Sequence, residues 1–286
     1  MQVVKPIFII GVPRSGTTLL YNILSTHRDL SYITLNVLRA GIHRKGRFLG
    51  HSIHRKGLLL KIINLLYRDK RSRTPHEANY FWKRYLGYYN YLTEEDYTPE
   101  MTDYYKLLIY TVQKAFSKPR FINKNPQHSF RVRLLNKIFD DAKFIHIIRD
   151  GRAAAYSMII KIKTEPNDSY SINLKDKILG QQYRHDRSKL YNYGLAWEVM
   201  VSRAREASTF GNAKYHELRY EELIAKPVDT IRAVLDFCEL EWYESFTNSI
   251  PPISNKNVKW KQNLSRQEQI DVEESTSKFR SSLKYL

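Results

Sequence analysis

Arg14 stands inside a short turn, Gly11-Val12-Pro13-Arg14-Ser15-Gly16-Thr17-Thr18, between an apolar run and an apolar-periodic run. The first run, Pro6–Ile10, reads as a buried strand and the second, Thr17–Thr26, as a helix. A turn of this kind aims backbone N–H groups and a helix N-terminus at one point, where an anion fits. Gly11-x4-Gly16-Thr17-Thr18 has the spacing of a phosphate-binding loop. Thr17 occupies the place of the lysine that nucleotide triphosphatases carry there. Pro13, Arg14, Ser15, Gly16, Thr17 and Thr18 are the candidate anion holders, with Arg14 as their cation. The exchange disfavours an ATPase and favours another ligand with a 5′-phosphate.

A second set of anion-binding types follows another strand. Lys143–Ile148 is apolar enough to be buried, and it ends in Arg149-Asp150-Gly151-Arg152 before a helix that carries Ser157. Arg149 reaches the site from the strand end, Ser157 from the helix, and the helix dipole adds to both.

The elements that must position these residues alternate. Strands are expected at Pro6–Ile10, Arg120–Asn123, Lys143–Ile148 and Lys214–Arg219. Helices are expected at Thr17–Thr26, Glu77–Tyr89, Pro99–Phe116, Phe130–Phe139, Arg152–Ile162, Leu190–Ser208 and Glu221–Cys238. This order predicts one α/β domain over residues 1–286, with a parallel sheet of four to five strands flanked by helices. Ligands of such sheets sit beyond the carboxyl ends of the strands. Residues 164–192 read as a polar insertion with some helix. Residues 251–286 read as a loop and a final helix capped at Ser265, with Glu268 three residues on.

Composition narrows the class. The 286 residues carry a formal net charge of +18, and 42% are hydrophobic, enough for a core. Residues 1–73 hold 14 Lys and Arg against Asp29 and Asp69. Such a face attracts an anionic ligand, polymer or membrane surface, or is simply solvated. Within residues 39–73 lies Leu58–Tyr67, which resembles a basic amphipathic membrane-surface helix; a core helix with a basic end is the alternative. No apolar stretch reaches the roughly 18 residues of a transmembrane helix. The short stretch before the first strand leads to the expectation of no signal peptide, and Cys238 alone can form neither an intrachain disulfide nor a cysteine zinc site. The expectation is a cytoplasmic protein with peripheral membrane contact open to it. The oligomeric state is left open.

Taken together, the motifs resemble a family. Pro13–Thr18 looks like the 5′-phosphosulfate loop of sulfotransferases that use 3′-phosphoadenylyl sulfate. Arg149 through Ser157 looks like their 3′-phosphate motif. Arg219-Tyr220-Glu221-Glu222-Leu223 resembles the third signature, and Lys124-Asn125-Pro126-Gln127-His128 the Lys-x-Pro turn after the central strand. The resemblance spans nearly the whole chain and is nearest to bacterial sulfotransferases. It implies a P-loop nucleotide-kinase-like fold. It implies sulfuryl transfer to a hydroxyl, or less readily an amine, leaving adenosine 3′,5′-bisphosphate.

The resemblance also distributes roles. Pro75-His76-Glu77 matches the base-carrying segment, making Glu77 the base and His76 the second candidate; capping a helix N-terminus is the other reading of Glu77. Lys124 would contact the transferring group. His128 would meet the acceptor or make a structural hydrogen bond. Tyr220 would lie at the adenine or in the core. Lys259, Trp260 and Lys261 stand where members close a basic loop over the 3′-phosphate. The aromatic set Tyr80, Phe81, Trp82, Tyr85, Tyr88, Tyr89 and Tyr91 could stack on a sugar or fill the core. A donor with two phosphates needs two anion sites, as found, and sulfuryl transfer can use fixed cations in place of a metal. No metal is therefore expected. The acceptor could be a carbohydrate, glycolipid, small metabolite or protein tyrosine. A P-loop kinase and a basic nucleic-acid-binding protein are the rival classes, though no nucleic acid is expected.

Overall fold

The computed structural model describes residues 3–34 and 74–285. The basic segment 39–73, with its amphipathic stretch, lies outside the described residues.

Five strands form one parallel sheet in the order β2-β3-β1-β4-β5. They are β1 (Ile7–Ile10), β2 (Leu30–Ser31), β3 (Arg120–Lys124), β4 (Lys143–Ile148) and β5 (Tyr215–Arg219). The expected strands are all present, and the two-residue β2 adds an edge. The central strands β1 and β4 are buried along their whole length. That is why they read as unbroken apolar runs rather than alternations. β1 pairs with β3 on one side and β4 on the other, with Ile9 beside both Lys124 and Ile145.

Helices cover both faces. On one face Ile7, Ile9, Ile122, Ile145 and Ile147 pack with α1 (Thr17–Leu24) and, after β5, α8 (Tyr220–Ala225) and α9 (Pro227–Phe237). On the other, Phe8, Ile10, Phe121 and Phe144 pack under α2 (Asn79–Leu86), α3 (Pro99–Phe116) and α4 (Val132–Ile138). α5 (Gly151–Thr164) follows β4 and packs on α7 (Lys189–Arg205), joined by Trp197 and Met158.

Three expected boundaries move. The single helix Glu221–Cys238 is broken at Lys226, because Pro227 supplies no N–H to continue the ladder and starts α9 instead. Residues 164–192 form α6 (Ser169–Asn173), further helical turns and the start of α7, with Tyr170, Leu174, Ile178 and Leu179 buried. The helix expected within this segment is present, and most of its remaining residues are exposed. The tail holds three helices, α10 (Lys259–Asn263), α11 (Arg266–Ser275) and α12 (Ser277–Arg280), where a loop and one helix were expected. The Ser265–Glu268 capping box of α11 forms as read. Cys238 is a buried free thiol. Among the described residues no helix is long and apolar enough to cross a membrane.

Candidate active site

The turn after β1 brings the first anion holders together. Gly16 has φ +93°, a conformation that glycine adopts without strain, and it precedes α1 with no side chain capping that helix. The first N–H groups of α1 are thus left to an anion. Arg14 also has positive φ, and its exposed guanidinium reaches out to donate from Nε to Ser157 Oγ at 3.0 Å. That contact joins the loop to α5. Ser15 Oγ is fully buried in the loop and has no hydrogen-bond partner among the described residues. Orphaned buried hydroxyls are uncommon, and this one stands among groups suited to a phosphate.

Arg149 directly follows β4, is 94% buried, and bonds to three neutral oxygens. Nε donates to Asn257 Oδ1 at 2.7 Å, Nη1 to the Arg14 carbonyl at 2.9 Å and Nη2 to the Lys256 carbonyl at 3.2 Å. Burial pulls its pKa down. No carboxylate bonds this guanidinium directly, although Glu221 and Asp150 act on it through space, so a bound anion could still become its direct partner. The Tyr220 ring lies under the guanidinium, 4.8 Å from it, and against Gly16, where an added Cβ would come within 2.6 Å of Cδ2. Around these groups opens a cavity of about 330 Å³ lined by Arg14, Gly16, Thr17, Thr18, Arg149, Tyr220 and the 252–256 segment. Asp150 is not free for a cation there: it caps α5 and holds Arg152 through both carboxylate oxygens.

At the end of β3, Lys124 is 96% buried and pairs with the half-buried Glu77. Glu77 does not open α2. Ala78 takes a left-handed conformation and ends the preceding turn, leaving Glu77 outside the helix. The turn is gripped from β3: Asn123 Nδ2 donates to the His76 carbonyl at 3.4 Å and Asn125 Nδ2 to the Glu77 carbonyl at 3.3 Å. His76 is half-buried beside it. Its Nδ1 accepts the Ala78 N–H at 2.9 Å, and burial lowers its pKa.

Two expectations are corrected. His128 is fully buried, edge-on to Phe8 and Trp82 and bonded to Asn123 and Arg131, so it cannot meet an acceptor. Trp260 is buried with Arg152 stacked 4.7 Å from its ring, while Lys259 and Lys261 are exposed on α10. None of the three lines the cavity; the lysine that does is Lys256. Of the aromatic set, Phe81, Trp82 and Tyr89 are core, whereas Tyr80 is exposed. Asn123, Asn257 and Arg131 were given no role from the sequence, and Asn125 only a place in the Lys-x-Pro turn. Polar residues after a strand carry no periodic signal; only the Asn-rich spacing around Lys124 hinted at them.

A five-stranded parallel sheet flanked by helices, with a glycine-bounded turn after β1 and an arginine after β4, is a P-loop-like α/β fold. The chain belongs to the sulfotransferase family, whose model matches residues 6–244. It is 26% identical over 239 residues to a protein-tyrosine sulfotransferase of Drosophila melanogaster, covering 84% of this chain and 39% of that protein. It is 27% identical over 271 residues to the omega-hydroxy-beta-dihydromenaquinone-9 sulfotransferase Stf3 of Mycobacterium tuberculosis, covering 84% and 64%. The chain thus spans about two fifths to two thirds of the length of these relatives. In fold it is similar to the sulfotransferase STF9 of Mycobacterium avium, with TM-score 0.61, 16% identity and 99% and 77% of the two chains covered. A sulfotransferase domain from the curacin biosynthetic pathway gives TM-score 0.58 at 15% identity, covering 100% and 99%.

Proposed function

We propose that this chain transfers a sulfuryl group from 3′-phosphoadenylyl sulfate to a hydroxyl acceptor by in-line displacement without a metal ion. The observation that carries the reading is convergence. Glu77 with Lys124, the loop with Arg14, and Arg149 with Ser157 nearby lie at the carboxyl ends of β3, β1 and β4, three neighbouring strands. Arg14, Ser15 and the N-terminus of α1 would hold the 5′ side of the donor, and Arg149 and Ser157 its 3′-phosphate. Tyr220 lies between them. When bound, the donor supplies an activated sulfuryl group.

The chain's own residues do the rest. Glu77 takes the proton of the acceptor hydroxyl. Its charge then falls, so its hold on Lys124 weakens as negative charge grows on the leaving oxygen. The ammonium is freed for that oxygen at the moment it is needed. Such a paired base and cation cost little reorganisation, because Lys124 ends β3 and the Glu77 backbone is held to that strand end through Asn123 and Asn125. The relatives' names, protein-tyrosine and omega-hydroxy, favour a hydroxyl over an amine. A carbohydrate, lipid-linked or small-molecule hydroxyl fits equally.

Thermal-shift measurement tests the donor. Adenosine 3′,5′-bisphosphate should stabilise the protein well beyond ATP with Mg²⁺; equal stabilisation favours a kinase. Incubating cell extract with isotopically labelled donor, with and without EDTA, then reveals by mass spectrometry which species gain sulfate. Turnover abolished by EDTA would overturn the metal-free reading.

A further inference from the structure

His128 lies away from solvent, yet it is bonded at both ring nitrogens. Arg131 Nε donates to His128 Nδ1 at 3.1 Å. An arginine can only donate, so Nδ1 must be the bare nitrogen and Nε2 must carry the proton. Nε2 then donates to Asn123 Oδ1, 3.1 Å away. The same oxygen receives Trp82 Nε1–H at 3.0 Å, and an indole too is only a donor. With two donors on Oδ1, the Asn123 amide has one orientation, Nδ2 outward. That Nδ2 is the group that holds the His76 carbonyl, next to Glu77.

We propose that Arg131, His128 and Asn123 form a positioning relay that sets Glu77 against Lys124; this rests on Glu77 being the base. Arg131 fixes the His128 tautomer by donor and acceptor identity, and His128 Nε2–H and Trp82 Nε1–H together hold Asn123 Oδ1. Arg131 is itself costly. It is fully buried and its other contacts are the Leu86 and Gly87 carbonyls, at 3.3 and 3.2 Å. Nη2 has no partner among the described residues. Burial pulls its pKa down to about 10 and drives that of His128 well below the usual histidine value. Arg131 meets the last carbonyls of α2, which a methionine or leucine would leave unpaired, and from the same place it fixes the tautomer of His128. Asn125 grips the next carbonyl, that of Glu77, so the relay and Asn125 hold the two residues from opposite sides of Lys124 along β3.

The first test needs no acceptor. In ¹⁵N-labelled wild type, long-range NMR correlations should show His128 neutral and protonated on Nε2 from about pH 5.5 to 8.5. The Nδ1-protonated form, or titration within that range, would overturn the relay. The second test is kinetic, with labelled donor and cell extract as the acceptor source. His128→Leu should lower kcat roughly 10–100-fold. The apparent KM for extract and the thermal shift by adenosine 3′,5′-bisphosphate should hold within about twofold. His128→Gln, which restores a donor toward Asn123, should recover part of kcat. Arg131→Met should lose a similar factor, and the double variant no more than either single one. Losses that multiply, or a His128→Leu enzyme with kcat within twofold of wild type, would overturn the proposal. Glu77→Gln is run beside them: if it keeps turnover, the base reading fails, and that failure is distinct from failure of the relay.

Discussion

Replacing Arg149 by methionine separates the two anion sites. The thioether keeps most of the stem and removes every N–H. Three hydrogen bonds to neutral oxygens go, those to Asn257, Arg14 and Lys256. A buried cation goes with them, and its desolvation cost is recovered, so net stability should change little. Binding should change much more. A hydrogen bond to a charged group contributes about 1.5–3 kcal/mol. At about 1.4 kcal/mol per tenfold, the dissociation constant for adenosine 3′,5′-bisphosphate should rise roughly 10–150-fold. Adenosine 5′-monophosphate lacks the 3′-phosphate, and its affinity should move less than about threefold. Isothermal titration of both ligands against wild type and variant gives the ratio. Equal weakening of the two would refute the reasoning. Arg149 would then be a prop for the 252–257 segment and not a phosphate holder.

Glu77→Gln keeps the shape and removes basicity, so turnover should fall about 10²–10⁴-fold with bisphosphate binding nearly unchanged; a rapid variant would move the role to His76. Gly16→Ala meets both positive φ, costing about 1–2 kcal/mol, and the Tyr220 ring. Its melting temperature should fall by about 2–4 °C for each kcal/mol lost, and an unchanged midpoint would contradict the packing described. Cys238 is pushed up to about 12 by burial, so folded protein at pH 8 should resist iodoacetamide while urea-unfolded protein reacts. Because the folded thiol holds its proton more tightly than the unfolded one, its contribution is complete below about pH 9 and is lost towards pH 12. Cys238→Ala should therefore show a shallower alkaline decline in urea midpoint than wild type.

The fold was largely legible because its central strands are buried on both faces. Ile7–Ile10 and Lys143–Ile148 are continuous apolar runs, and the loops after them carry the glycine and arginine that mark anion sites. β2 escaped because two residues make no pattern. The place of Glu77 outside α2 depends on the left-handed Ala78, a residue type that gives no hint of such a backbone. His128 looked available because a histidine after a strand end is chemically versatile; only three dimensions show Phe8 and Trp82 closing over it. Lys259 and Lys261 had the right charge and the wrong helix phase. Trp260 between them is drawn to the core, so its neighbours turn outward and Lys256 reaches the cavity instead.

The Tyr220 ring lies against both Gly16 and the Arg149 guanidinium. It is therefore a wall shared by the two candidate anion sites, which Arg149 also joins directly by donating to the Arg14 carbonyl at 2.9 Å. Charges alone reward any polyanion; two sites tied together by hydrogen bonds reward only one separation. On the proposed donor, selectivity would then be metric as well as electrostatic. A ligand carrying the same two phosphates at a different distance could satisfy either end but not both. Enlarging or shrinking residue 220 would reshape the shared wall and leave the charge untouched.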